Sequence, residues 1–314
     1  MTPIEIAYAH TPEWWAARRT GIGASRAAAA CGLSNYSTPL EVYLELRGEA
    51  PDTEETDVMR FGTIIEPAIA ELYRQQYEAE IVYPMPMMRH PEHAFMLATP
   101  DAQLSAEAGL EFKSLSRHRA KQFDDEGLAA VAPDYVCQAQ QQMAVTGWQV
   151  VHLVALVERR LQTWEIERSD RLINLMVERE GELWEMAQRG EEPEVDFEHP
   201  RALEFVRALH PDITPGIIRL PGDLIQMQAE YVALSKQARE IEKRQKEIRA
   251  RQLAVIGDHE GGLLPDGRYL RRSITERAEY TVAACRRTDV RVVRLPDDAQ
   301  IIEPAGPLAL TGGE

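Results

Sequence analysis

The chain has 314 residues, enough to bury an ordinary core, with 44% hydrophobic and 27% charged residues and a net charge of −16. Its longest apolar run, around 150–157, is far shorter than the roughly 20 residues of a membrane span, so no spanning helix and no membrane partner are expected. No charged-then-apolar leader opens the sequence, which gives a cytoplasmic expectation. Cys31, Cys137 and Cys285 form no C-x-x-C pair, which argues against a disulfide framework or an iron–sulfur cluster.

In chain order, Thr11–Arg19 reads as a short helix, and Ser25–Gly32 as a second, capped by Ser25 and stopped by Gly32. Thr38-Pro39 starts a third through Gly48. Residues 52–57 read as a solvated acidic linker. Phe61, Ile65, Ile69, Leu72 and Tyr73 then recur at helical spacing within one helix from Thr56 to Tyr77.

Strands are expected at Ile81–Met88, Ala94–Thr99 and Gly109–Ser114. A helix from Pro133 to Thr146, a hairpin of Gln149–Val157 with Leu161–Glu167, and a helix from Asp170 to Arg189 follow. Residues 191–221 read as a connector. From Asp223 to Ile256 an apolar stripe through Leu224, Met227, Tyr231, Leu234, Ala238, Ile241 and Ile248 marks a long charged helix, read as a packing helix or hairpin arm. A small β unit on the Pro265-Asp-Gly267 turn and a mobile tail after Pro304 complete the chain. The domain expectation is a core at 1–190, a connector at 191–221 and an extension at 222–314.

The chemistry centres on Leu110-Glu-Phe-Lys-Ser114, where strand alternation puts Glu111 and Lys113 on one face and Leu110, Phe112 and Ser114 on the other. Lysine occurs only at positions 113, 121, 236, 243 and 246, so a lysine inside an apolar strand calls for a reason. A turn at Glu107-Ala-Gly109 brings Asp101 beside Glu111. Two close carboxylates repel unless a cation separates them, and hard oxygen ligands suit Mg²⁺ or Mn²⁺. An ammonium from Lys113 then orients water or stabilises charge on a phosphate. E-x-K alone is a common surface ion pair, but Glu66 and Gln138 also lie on the inner stripes of their helices, and buried polar groups need partners.

Arg19-Thr-Gly-Ile-Gly-Ala-Ser25, Phe61-Gly-Thr-Ile-Ile-Glu66, Pro100-Asp101 with Glu111-x-Lys113 ten residues on, and Tyr135-Val-Cys-Gln-Ala-Gln-Gln-Gln-Met143 with Thr146-Gly147 occur in this order. Together they resemble the YqaJ-like viral recombinases, relatives of the phage lambda exonuclease within the PD-(D/E)xK nuclease superfamily. The resemblance covers residues 12–190. It implies an α/β, restriction-endonuclease-like core, a central mixed sheet flanked by helices, with the long helix and small β unit as an extension.

The resemblance further implies that Asp101 and Glu111 bind Mg²⁺ (or Mn²⁺) with the Phe112 carbonyl as an extra ligand, and that Lys113 assists the water. Glu66 would hold a second metal or its water, and Gln138 would orient the site. Arg19 and Ser25 would grip the terminal 5′-phosphate, with further phosphate contacts from the basic stretch carrying Arg117 and Arg119. Gln140 is an alternative to Gln138. The implied substrate is a double-stranded DNA end, digested 5′→3′ to leave a 3′ single strand for an annealing recombinase, by a homo-oligomer. A PD-(D/E)xK endonuclease and a non-catalytic DNA-end-binding scaffold are the rival readings. The acidic net charge does not oppose a DNA partner, since a basic groove can coexist with an acidic outer surface.

Overall fold

In the computed structural model, residues 2–51, 56–210, 212–213 and 215–274 are described, with the backbone alone at 301–302. The described residues up to Asp212 cluster into one unit and those from Ile213 into a second.

The first unit begins with β1 (Ile4–Tyr8), α1 (Pro12–Arg18), β2 (Ile22–Gly23), a 3₁₀ turn (Ala24–Arg26) and α2 (Ala27–Ala30). The helix expected from Ser25 is thus split. Ser25 lies inside the 3₁₀ turn and caps nothing, and the four alanines of α2 are buried, so packing rather than a cap sets this segment. In α3 (Pro39–Arg47) the local signals do decide: Thr38 and Glu41 form a reciprocal capping box, Pro39 occupies the first turn, and Gly48 ends the helix in the left-handed region at φ 70°.

The linker residues 52–55 lie outside the described residues. Thr56 caps α4 (Asp57–Tyr77), whose Ile69, Ala70 and Tyr73 are buried. Two sheets follow from β3 (Pro86–Arg89), β4 (Met96–Ala98), β5 (Ala102–Ser105) and β6 (Ala108–Leu115) onward. The first expected strand is shortened because Pro84 and Pro86 remove ladder donors, and Val82 makes only an isolated bridge to Gln103.

After β6 the chain crosses through α5 (Arg117–Glu126), α6 (Leu128–Val131) and α7 (Pro133–Thr146) to β7 (Val150–Val157), then turns into β8 (Arg160–Glu167). One sheet has the order β1-β3-β4-β2 and the other β5-β6-β7-β8. β6 and β7 are parallel from Ala108↔Val150 to Leu115↔Val157, while β5 and β8 flank them antiparallel. The sheet is therefore mixed, and the α/β expectation holds.

Alternation divides the second sheet cleanly. Leu110, Phe112 and Val154 pack with Ile69, Ala70 and Tyr73 of α4. Leu153 turns the other way, into a cluster with Met143, Val145 and Trp148. Gly109 is required where Trp148 crosses it, since a Cβ there would meet the indole at 2.0 Å.

α8 (Asp170–Arg189) is capped by Ser169 and ended by Gly190. The first unit extends beyond the expected limit of 190: in α9 (Ala202–Leu209), Phe205 packs with Leu40, Tyr43, Leu183 and Ala187, which ties half of the supposed connector to the core.

The second unit holds β9 (Ile217–Ile218), α10 (Leu224–Ile256), and a hairpin of β10 (Gly261–Leu263) and β11 (Tyr269–Arg271) around the expected turn, where Gly267 has φ 85°. β12 (Ile301–Ile302) runs parallel to β9. The tail after Pro304 and Cys285 lie outside the described residues. No helix among the described residues is long and apolar enough to cross a membrane.

Candidate active site

Glu111 sits mid-strand on β6, only 3% exposed, on the face opposite Leu110 and Phe112. Its carboxylate is held by three donors. Lys113 Nζ reaches Oε1 in a close ion pair, Gln138 Nε2 donates to Oε1 at 2.7 Å, and Gln142 Nε2 donates to Oε2 at 2.7 Å. The two glutamines are one turn apart on α7, so one helix face clamps both oxygens. Tyr135, three residues before Gln138, places its ring 5.4 Å from Lys113 Nζ.

Asp101 lies at the entrance to β5, where its Oδ2 accepts the Phe112 N–H at 2.6 Å. Because the N–H and C=O of a strand residue point to the same side, the Phe112 carbonyl is directed toward this flank as well. Burial, then the Glu111 charge, pushes the Asp101 carboxyl well above its usual range; Lys113 and the Phe112 N–H oppose this, while Glu66 adds to it. Burial alone would lower the Lys113 pKa, but Glu111 and Asp101 outweigh it, and the amine stays charged.

Glu66 approaches from α4, the helix packed over the Leu110 and Phe112 face, whereas Glu111 faces α7. It accepts from Tyr83 Oη at 3.3 Å, and burial followed by the Glu111 charge raises its pKa. Glu66 and Asp101 line both of two cavities. One, of about 480 Å³, also takes in Arg18, Ser25, Arg26 and Gln138. The other is bounded by Phe112, Lys113, Ser114 and Tyr135.

Asp101, Glu111, Lys113 and Gln138 are thus brought together, with Glu66 at their edge. Ser25 faces the first cavity, but Arg19 is exposed at the C-cap of α1, and Arg18 lines the cavity instead, its guanidinium 4.7 Å from the Trp14 ring. Arg119 turns inward: it bonds Gln122 at 3.3 Å and the Val131 carbonyl, and lies 5.3 Å from the Phe123 ring. Arg117 is exposed at the start of α5.

The glutamine run is used residue by residue. Gln140 bonds the Glu167 carbonyl at 2.7 Å and accepts from Ser169 N at 2.8 Å, so it is not part of the site. Gln141 donates to the carbonyls of Ile22 at 2.7 Å and Leu97 at 2.9 Å, tying β2 and β4 to α7. Gln142 was missed by the sequence reading, although its position four residues after Gln138 carried the signal. Its Oε1 is buried without a partner among the described residues.

In kind, the donor set fits a hard divalent cation: two buried carboxylates, Asp101 and Glu111, beside a carbonyl. In placement, no three His, Cys, Asp or Glu side chains among the described residues converge on one point.

Residues 13–149 match the model of the YqaJ-like viral recombinase domain. The uncharacterized protein YqaJ of Bacillus subtilis (strain 168) is 27% identical over 259 residues, covering 80% of each chain. Among solved structures, the alkaline exonuclease LHK-Exo of Laribacter hongkongensis is similar at 24% identity and a TM-score of 0.49, over 58% of this chain and 95% of that one. A phage related exonuclease from Haemophilus somnus 129PT is similar at 14% identity and a TM-score of 0.45, over 54% and 94%.

Proposed function

We propose that this chain is a metal-dependent deoxyribonuclease of phage-type recombination, an exonuclease that digests linear duplex DNA 5′→3′ and leaves a 3′ single strand for an annealing recombinase. The observation that carries the reading is the buried Glu111 carboxylate, clamped by Lys113, Gln138 and Gln142 beside a second buried carboxylate, Asp101. A surface ion pair needs no such support, and a core would be more stable without it. The match of residues 13–149 to the viral recombinase domain model supports the same reading.

Asp101, Glu111 and the Phe112 carbonyl would hold Mg²⁺ or Mn²⁺, with Glu66 as a further ligand or the holder of its water. When bound, the cation lowers the pKa of water and neutralises charge developing on the phosphate. Lys113 holds its proton and directs that N–H toward the attacking water or a phosphoryl oxygen, aided by the Tyr135 ring that fixes the ammonium. Gln138 and Gln142 keep the Glu111 carboxylate in one orientation. Ser25 and Arg18 would receive the terminal 5′-phosphate in the first cavity, with Arg19 next to them on the outer surface and Arg117 as a backbone contact.

The test compares linear duplexes bearing 5′-phosphate or 5′-hydroxyl ends with closed circles, in Mg²⁺ and in EDTA. Metal-dependent digestion of the 5′-phosphorylated linear duplex, with label lost first from its 5′ ends, is the expected result. Cleavage of circles would replace the exonuclease by an endonuclease, and digestion from 3′ ends would reverse the polarity.

A further inference from the structure

Helix α10 is 33 residues long and buries none of them. At 1.5 Å per residue it extends about 50 Å, and a helix of that length ordinarily owes its stability to packing of an apolar face. Its apolar face exists and is uncovered among the described residues: Tyr231 is 66% exposed, Ile241 59% and Leu234 55%.

The face is also more regular than a packing helix needs. From Leu224 to Val255 the stripe advances by alternating steps of three and four without a break, through Met227, Tyr231, Leu234, Ala238, Ile241 and Ile248. Gln245 and Gln252 complete the same series. Such a spacing held over more than four heptads is the pattern of a coiled coil, in which an occasional polar core position fixes register. A helix packing onto a globular core follows a broader, 3.6-residue stripe instead.

Charge along the flanks favours one orientation. Glu230, in the N-terminal half, and Arg244 and Arg251, in the C-terminal half, occupy equivalent positions just before the core residues Tyr231, Gln245 and Gln252. Two copies side by side and parallel would set Arg244 against Arg249 of the second copy and stack Ala238 on Ala238, leaving a gap. Antiparallel copies in full register set Glu230 between Arg244 and Arg251 of the second copy. They also place small Ala238 against Ile241 rather than against a second Ala238. Within its own helix Arg244 reaches only Glu247, at 2.9 Å, a pair exposed to solvent.

We propose that α10 pairs with α10 of a second copy of this chain as an antiparallel two-stranded coiled coil. The inference is independent of the nuclease reading.

Sedimentation of the full chain at tens of micromolar tests it, alongside Leu234→Asp/Ile241→Asp and the folding-neutral Glu230→Arg. The expected results are a two-chain mass for the wild type and a one-chain mass for the double variant, with the first unit still folded by near-ultraviolet circular dichroism. Glu230→Arg should weaken association by about tenfold or more, because like charges then face each other, and mixing it with an Arg244→Glu/Arg251→Glu chain should restore the dimer. A wild type of one-chain mass overturns the proposal, and would mean that α10 is covered by its own chain or left free. A dimer that survives the double substitution, or one indifferent to Glu230→Arg, overturns it as well.

Discussion

Helices α7 and α10 use glutamine in opposite ways. In α7, Gln140, Gln141 and Gln142 are buried, and every side-chain nitrogen of the run from Gln138 has a named acceptor. In α10 the residues left without partners are apolar, and its polar groups are solvated. A buried polar side chain costs stability unless bonded, so a core in which two glutamines of one helix, Gln138 and Gln142, hold a single buried carboxylate is organised around that carboxylate. An exposed apolar face points outward, to another surface.

The largest effect that would break this contrast lies in the carboxylate pair. Asp101→Ala or Glu111→Ala should lower the nuclease rate by about a thousandfold or more, read as nucleotides released per minute. Gln142→Ala should come next. It loses one arm of the clamp and is expected to reduce the rate by about ten- to a hundredfold, in line with residues that orient a metal's ligands. Gln140→Ala, whose bonds go to Glu167 and Ser169, should leave the rate nearly unchanged while lowering stability by about 1–3 kcal/mol in urea titrations.

A fourth prediction concerns Glu180 of α8, fully buried, with both carboxylate oxygens unpartnered among the described residues and a pKa raised well above the usual range by burial. The folded state therefore binds its proton more tightly than the unfolded chain. Stability from this group is complete below the unfolded value near 4.5 and declines as pH rises toward the folded value. Glu180→Met should remove that decline, so the difference in Tm between variant and wild type should widen from pH 5 to pH 8. A difference independent of pH would contradict it. The smallest effect is expected on α10, where Lys246→Ala deletes the exposed pair with Glu242 and should leave Tm unmoved.

Much of this was legible in the sequence because local physics decided it. Thr38-Pro39 and Gly48 bounded α3, Ser169 and Gly190 bounded α8, and alternation through Leu110–Ser114 assigned Glu111 and Lys113 to one face. What escaped depended on distant contacts. Ser25 is an adequate cap in isolation, yet burial of the following alanines makes the turn 3₁₀. Arg18 and Arg19 are adjacent, and only the end of α1 against Trp14 decides which faces the cavity. Phe205 looked like part of a connector because its partners, Leu40 and Leu183, lie far along the chain. Gln142 was hidden in a run of like residues, although helical spacing from Gln138 marked it.

The proposed nuclease centre rests on Asp101 and Glu111. It is tested most directly by nucleotide release from a uniformly labelled linear duplex in Mg²⁺, comparing the wild type with Asp101→Asn, both shown to be folded by circular dichroism. The expected result is release by the wild type that EDTA abolishes, and none above background from the variant. Equal release by both proteins, or a folded wild type inert in both Mg²⁺ and Mn²⁺, would contradict it.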